Sequence, residues 1–164
     1  MSLLDGWRFD SAPSRGTVGA MHNGRIEISR DLDGHAVVLA CLDLTGEEAL
    51  AAAHVMAAVR RERYGIAELS ADDVLAMREL TALADELAHV GEGHAISLVL
   101  KPARLTALRD ALDAFVTERD EAEWLRDEDR EPLSSARALL WPVSDLCSDA
   151  VRAALSAHDT PTAG

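Results

Sequence analysis

The chain has 164 residues, of which 48% are hydrophobic and 27% charged, and its formal net charge is −13 at pH 7. This balance is typical of one globular domain, and the negative charge argues against nucleic acid or anionic lipid as a partner. The longest mostly apolar run, Ala36 to Leu42, is far shorter than the roughly 20 residues that cross a bilayer. We therefore expect neither nucleic-acid binding nor a membrane partner.

The start of the chain lacks the basic beginning and apolar stretch of an export signal, because Asp5, Arg8 and Asp10 lie there. Arginine supplies fifteen of the sixteen basic residues, which is typical of GC-rich bacterial coding. A cytoplasmic protein is expected, and in that compartment Cys41 and Cys147 are predicted to be buried free thiols.

The sequence predicts an irregular N-terminal arm over residues 1–15. From Thr17 to Leu44 apolar and polar residues alternate, and Asn23-Gly24 suits the positive φ angles of a two-residue hairpin turn. A second turn is predicted at Asp31 to Gly34. The strand after it is apolar on both faces and is expected to be central. Together these signals predict a three-stranded antiparallel meander.

Two helices are expected next, each beginning at a capping box. In a capping box, two residues three positions apart each accept a hydrogen bond from the other's free backbone amide at a helix start. This spacing occurs at Thr45 with Glu48 and at Ser70 with Asp73. The first helix is expected to end near Gly65, and the second carries one apolar stripe that predicts a face packed on the core.

Alternation from His94 to Leu100 predicts a fourth strand in the same sheet, followed by an amphipathic third helix. The segment from Glu118 to Glu131 holds eight acids and three arginines. It is interpreted as solvated charge, either a continuation of that helix or an exposed loop, which Pro132 ends. A fourth helix is expected over 134–156, kinked or divided by Pro142.

The order of these elements predicts the α+β class: a three-stranded antiparallel meander plus a fourth strand in one sheet, covered by about four helices. A sheet needs its apolar face covered, and the helices are the available cover. One domain is predicted over 16–157, with a frayed tail at 158–164.

Two histidines and a carboxylate near one turn, His89, His94 and Glu92, are side chains of the kinds that bind zinc. Their spacing matches no metal motif, and the glycines between them are explained as a helix-ending turn. The chain also has no glycine-rich phosphate loop, GxSxG, HExxH or CxxC motif. We therefore predict no metal, no cofactor and no catalytic residue.

The remaining reactive side chains are interpreted as structural. His54 lies among small residues of a helix and is expected to pack, half-buried, beside the sheet, because the sequence specifies no neighbouring nucleophile or acid. Cys41 lies in an apolar segment and is expected in the core. Arg60, Arg61 and Arg63 end a helix, where they interact favourably with its dipole.

The leading functional hypothesis is a noncatalytic protein-interaction or regulatory accessory protein that turns an acidic face toward a basic partner protein. Its binding residues are predicted to be Trp124, Asp127, Glu128 and Asp129, because tryptophan is enriched at interface hot spots and lies here inside the acidic stretch. Association into a homodimer is a further expectation, since several helices carry apolar faces.

The alternative hypothesis is a small-molecule-binding protein or small enzyme with a pocket between sheet and helices. Asp43, His54, Tyr64 and Trp141 are its predicted lining residues. A deep and partly polar pocket that brings them together would support it.

Overall fold

The structure, a computed structural model, describes residues 24–64, 68–89 and 94–159, with side chains as far as residue 157. In chain order the elements are β1 (Gly24–Arg30), β2 (Ala36–Leu44), α1 (Gly46–Tyr64), α2 (Ala71–Ala88), β3 (Ile96–Leu100), α3 (Pro102–Glu121) and α4 (Asp127–Asp159). The chain is therefore α+β, as its sequence predicts. The predicted N-terminal arm lies outside the described residues, as does the predicted tail beyond residue 159.

The sheet is antiparallel with the order β1-β2-β3, so β2 is the central strand. Its register places Ala40 between Ile26 and Leu100. The strand's alternate residues Val38, Ala40, Leu42 and Leu44 are buried. The prediction of a central strand from its two apolar faces is confirmed, because β2 has a hydrogen-bonded neighbour on each side.

The strand predicted over His94 to Leu100 is present as β3 and pairs with β2. A sheet of four strands is not supported, since the sheet has three strands over the described residues. The strand predicted before the Asn23-Gly24 turn falls outside that part of the chain. The second predicted turn is confirmed. Asp31 Oδ1 accepts the backbone N–H groups of Asp33 at 2.9 Å and His35 at 2.8 Å, and Gly34 has a φ of +84°, which glycine adopts without strain.

Both predicted capping boxes are present. The N–H of Glu48 donates to Thr45 Oγ1 at 3.1 Å, and the N–H of Thr45 donates to Glu48 Oε2 at 3.0 Å. Ser70 and Asp73 make the same reciprocal pair, with both distances at 3.1 Å. These short-range contacts begin α1 and α2 where the sequence predicts, because they depend on residues only three positions apart.

The long helix α4 differs from its prediction. It begins at Asp127, so Pro132 does not end the acidic stretch, and Pro142 does not divide the helix, which continues for 33 residues through both prolines. A proline removes one helical hydrogen bond, but packing of the flanking turns on the core offsets that loss. The buried residues on this face of α4 are Leu133, Ala136, Leu139, Val143, Leu146 and Ala150.

The helices pack on one another and on the inner face of the sheet. Helix α1 contacts each of the other three helices, and α4 also lies against β1 and β2. Phe115 of α3 is among the largest fully buried side chains of the core. Over the described residues, no helix combines the length and apolar character needed to cross a bilayer.

The capping boxes give a direct test of the local contribution to stability. Replacing Thr45 or Ser70 by alanine should lower the free energy of unfolding by about 1 kcal/mol each, because an amide at the helix start loses its acceptor. Chemical denaturation measures the change. Ser148→Ala, at an exposed position inside α4, is the control and should cost nothing. Equal values for Thr45→Ala and Ser148→Ala would contradict the capping contribution.

Candidate functional site

Asp129 is the only charged side chain that the structure shows as buried within the described ranges, with 5% of the residue exposed. It lies in the first turn of α4, and its backbone N–H donates to the carbonyl oxygen of Arg126 at 3.0 Å. The partial positive charge of a helix start favours a carboxylate there. Burial of that charge nevertheless costs free energy unless it is paired and hydrogen-bonded.

Two side chains from other helices satisfy the Asp129 carboxylate. His54 of α1 donates from Nε2 to Oδ1 at 2.8 Å, and Arg119 of α3 donates from Nε to Oδ2 at 3.4 Å. One carboxylate therefore joins α1, α3 and α4. The interpretation of Asp129 as solvated charge is wrong, because both of its oxygens are occupied inside the protein.

Arg119 extends this network to the surface. Its side chain is 11% exposed, its guanidinium group lies 4.0 Å from the centroid of the Phe115 ring, and its two terminal nitrogens donate to the two oxygens of Glu62 at 2.6 and 2.9 Å. Such a forked, charge-assisted pair is stronger than a neutral hydrogen bond. The hydrogen bonds to Glu62, and then the charges of Glu62 and Asp129, raise the pKa of Arg119 above its ordinary value.

The two glutamates beside Arg119 have opposite pKa shifts. The hydrogen bond from Arg119 lowers the pKa of Glu62. Burial, followed by the neighbouring Glu62 carboxyl, raises the pKa of Glu118, although Arg119 lies 3.4 Å away. Glu62 is thus held as a carboxylate, whereas the negative charge of Glu118, whose side chain is 44% exposed, is incompletely compensated.

A depression of about 290 Å³ lies where α3 ends and α4 begins. We call it the acidic cleft, because its polar lining consists of four carboxylates and two guanidinium groups. They belong to Glu62, Glu118, Glu123, Asp129, Arg119 and Arg126. Trp124 lines the same cleft and is 71% exposed. The buried network therefore forms the base of a surface concavity that presents an aromatic ring and excess negative charge.

The remaining residues of the predicted partner-binding set lie at the start of α4. Asp127 is exposed and accepts a hydrogen bond from Arg130 at 3.0 Å, and Glu128 is exposed with Arg126 at 3.6 Å. Neither residue lines the acidic cleft, whereas Trp124 and Asp129 both do.

The four residues predicted to share a pocket are not brought together. Asp43 accepts a hydrogen bond from Ser97 across the strand pair, and Tyr64 lines a cavity of only about 60 Å³. Trp141 is 73% exposed on α4. His54 lines a separate depression of about 230 Å³, together with Glu131 and other residues of α1 and α4.

His54 has a more specific environment than the sequence indicated. Its side chain is 31% exposed, and its ring meets the Phe115 ring edge-on at 6.0 Å. The sequence specified no acid beside His54, whereas the structure places Asp129 there, where its carboxylate orients the imidazole. Within the described part of the chain, no hydroxyl or thiol is hydrogen-bonded to His54. The pair thus resembles an oriented general base without a nucleophile.

The other reactive residues have structural surroundings. Cys41 and Cys147 are buried free thiols, and burial raises the pKa of both, which disfavours the reactive thiolate. Arg60 donates to Thr81 Oγ1 at 3.3 Å between α1 and α2. His89 Nδ1 donates to the carbonyl oxygen of Asp85 at 2.6 Å.

Two groups were considered for metal binding. Glu92, a member of the set with His89 and His94, lies outside the described residues. Asp31, Asp33 and His35 have side-chain ligand atoms within 4.8 Å of one another, and all three are exposed. Asp31 already accepts two backbone amides of its turn, so turn formation explains this cluster.

Arg119 and Phe115 belong to the candidate site, and the sequence did not single them out. The apolar stripe of α3 includes Leu108, Leu112 and Phe115, and Arg119 continues it one turn further. Asp129 likewise continues the stripe of α4 by one turn before Leu133. The sequence did contain a signal for both residues. A charged residue that continues an apolar stripe by one turn is expected to face the core, where its charge needs a partner.

Removal of Arg119 should strongly destabilise the fold. Arg119→Met leaves the buried Asp129 carboxylate without its cation and should cost about 3–5 kcal/mol in the free energy of unfolding. The control is Arg137→Met, which breaks an exposed pair with Asp120 between the same two helices and should cost less than about 1 kcal/mol. Chemical denaturation at pH 7 compares them, and equal losses would contradict the role of the buried network.

Glu118→Gln should stabilise the protein at pH 7. The folded-state pKa of Glu118 lies above the ordinary value of 4.5, so the unfolded chain ionises this group first and stability falls as the pH rises through the folded pKa. The neutral amide avoids this loss, so the variant should have the higher Tm at pH 7, with the difference disappearing below pH 4.5. Glu121→Gln, on the same helix outside the cleft, should change Tm less. An unchanged or lower Tm for Glu118→Gln would contradict the assignment.

The buried charge network and the acidic cleft together form the candidate functional site. Both are built from α1, α3, α4 and the short connection that carries Trp124. Comparison of the chain with protein-family models, with curated protein sequences and with solved structures gave no match.

Proposed function

We propose that this chain is a noncatalytic interaction or regulatory protein that binds a basic segment of a partner protein at the acidic cleft. One observation carries the proposal: Trp124, 71% exposed, borders a concavity whose lining has four carboxylates and two guanidinium groups. Tryptophan is enriched among the residues that contribute most to protein–protein affinity. It makes this contribution when a partner covers its side chain.

The charge distribution supports a basic partner. Both cations of the cleft have carboxylate neighbours within the chain: Arg119 is paired with Glu62, and Arg126 lies 3.6 Å from Glu128. The lining therefore offers excess negative charge, and the whole chain has a formal charge of −13. Long-range attraction at this charge accelerates the encounter with a basic partner and makes the association rate depend on salt.

The buried network supports binding without large rearrangement. Asp129 fixes α4 against α1 and α3, and the forked pair of Arg119 with Glu62 fixes one wall of the cleft. A wall that is ordered before binding reduces the entropy lost on association.

A small-molecule-binding or enzymatic function is the second proposal. The hydrogen bond between His54 and Asp129 favours it, because a carboxylate that orients an imidazole beside a depression is a common arrangement for proton transfer. It has less support than the first proposal, since no nucleophile among the described residues is bonded to His54 and the other predicted pocket residues lie elsewhere.

The binding proposal predicts salt-dependent affinity for basic peptides. A fluorescently labelled peptide of mixed lysine and arginine should bind the full chain, and its Kd should rise steadily with salt concentration, whereas an acidic peptide should not bind. Trp124→Ala should weaken binding about tenfold or more.

Trp141→Ala is the matched control, because Trp141 is equally exposed but lies outside the acidic cleft. It should leave the Kd unchanged. Absence of salt-dependent binding to every basic peptide, or equal losses for the two tryptophan variants, would refute the proposal.

A further inference from the structure

The chain itself shows how this region binds one guanidinium group. Arg119 lies over the face of the Phe115 ring, 4.0 Å from its centroid, and donates two hydrogen bonds to Glu62. An aromatic face and a carboxylate together suit the guanidinium group, because it is planar, weakly hydrated and forked.

The outer part of the acidic cleft repeats this combination of groups without a bound cation. Trp124 makes no ring contact with the part of the chain that the structure describes, and within the same residues Glu123 has no hydrogen bond or ion pair. Glu118 has a 3.4 Å contact with Arg119, whose strongest hydrogen bonds go to Glu62, and it also interacts with the Glu62 carboxyl, which adds no positive charge. An exposed indole and two incompletely compensated carboxylates therefore share one concavity.

We infer that the outer part of the acidic cleft, formed by Trp124, Glu118 and Glu123, binds a single arginine side chain of the partner protein. This inference rests on the proposed function and names the group that the partner inserts. The guanidinium plane stacks on the indole of Trp124 while its N–H groups donate to the carboxylates of Glu118 and Glu123. A volume of about 290 Å³ is at the lower end of the range for ligand pockets and fits one side chain rather than a folded element.

Arginine fits this cleft better than lysine for two physical reasons. The ammonium group of lysine is a compact point charge that is strongly hydrated and cannot form a forked pair with a carboxylate. It also lacks the planar surface that stacks on an indole. The same cleft should therefore discriminate between two side chains of equal charge.

The state of Glu118 adds a second consequence. Burial and Glu62 raise the pKa of Glu118, and a bound cation would lower it by supplying the missing positive charge. Binding of arginine should therefore release a proton as the pH rises through the raised pKa of Glu118, and affinity should rise with pH through that range.

The test is an NMR titration of the isotope-labelled full chain, followed at the indole N–H signals. The probes are three five-residue peptides with glycine at every position except the centre, which holds arginine, lysine or citrulline. The arginine peptide should shift the Trp124 signal to saturation and leave the Trp141 signal in place. The lysine peptide should bind about threefold to tenfold more weakly, and the uncharged citrulline peptide should not bind.

Variants then locate the contact. Glu118→Gln and Glu123→Gln should each weaken the arginine peptide about fivefold, whereas Glu121→Gln should have no effect. Glu118→Gln should also remove the rise in affinity that accompanies ionisation of Glu118. The amide spectrum of each variant shows directly whether it is folded.

The outcomes separate the two proposals. Equal affinity for the arginine and lysine peptides overturns the arginine site, and so does full affinity in both glutamine variants. In either case, salt-dependent binding of the longer basic peptide still supports the proposed function. Failure of every basic peptide to bind overturns the proposed function and the arginine site together.

Discussion

The structure depends on the neutralisation of one buried carboxylate. Asp129 lies in the first turn of α4, where the core leaves it 5% exposed, and removing its charge from water is costly. His54 of α1 and Arg119 of α3 offset this cost from two sides. The relative positions of three helices are therefore coupled to a single group, because a shift of α1 breaks the contact with His54, a shift of α3 breaks the contact with Arg119, and a shift of α4 breaks both.

This coupling also shapes the surface. The connection between α3 and α4 is short, so fixing both helices at Asp129 fixes the intervening Trp124 beside Glu118 and Glu62. Arg119 contributes one hydrogen bond inward to Asp129 and two outward to Glu62. The acidic cleft and the core thus share one guanidinium group.

Local patterns predicted the fold well, where the interactions are short-range. The capping boxes at Thr45 and Ser70 and the turn at Asp31 are confirmed, because each depends on residues three or four positions apart. The continuity of α4 was not predictable in this way. Pro132 and Pro142 disfavour a helix locally, and the packing of α4 against α1, α3, β1 and β2 outweighs that preference.

The sequence alone determined the α+β class and the central strand, and it placed Trp124 within an acidic segment, which is the basis of the binding proposal. Only the tertiary structure decided which charged side chains are buried and which are exposed to solvent. Asp127, Glu128 and Asp129 are adjacent and chemically similar, yet of these three only Asp129 is buried. The pairing of Asp129 with His54 joins residues 75 positions apart. Helical and strand periodicity cannot predict a contact between residues so far apart in the chain. The contact is set by how the helices pack and not by the preference of any one segment.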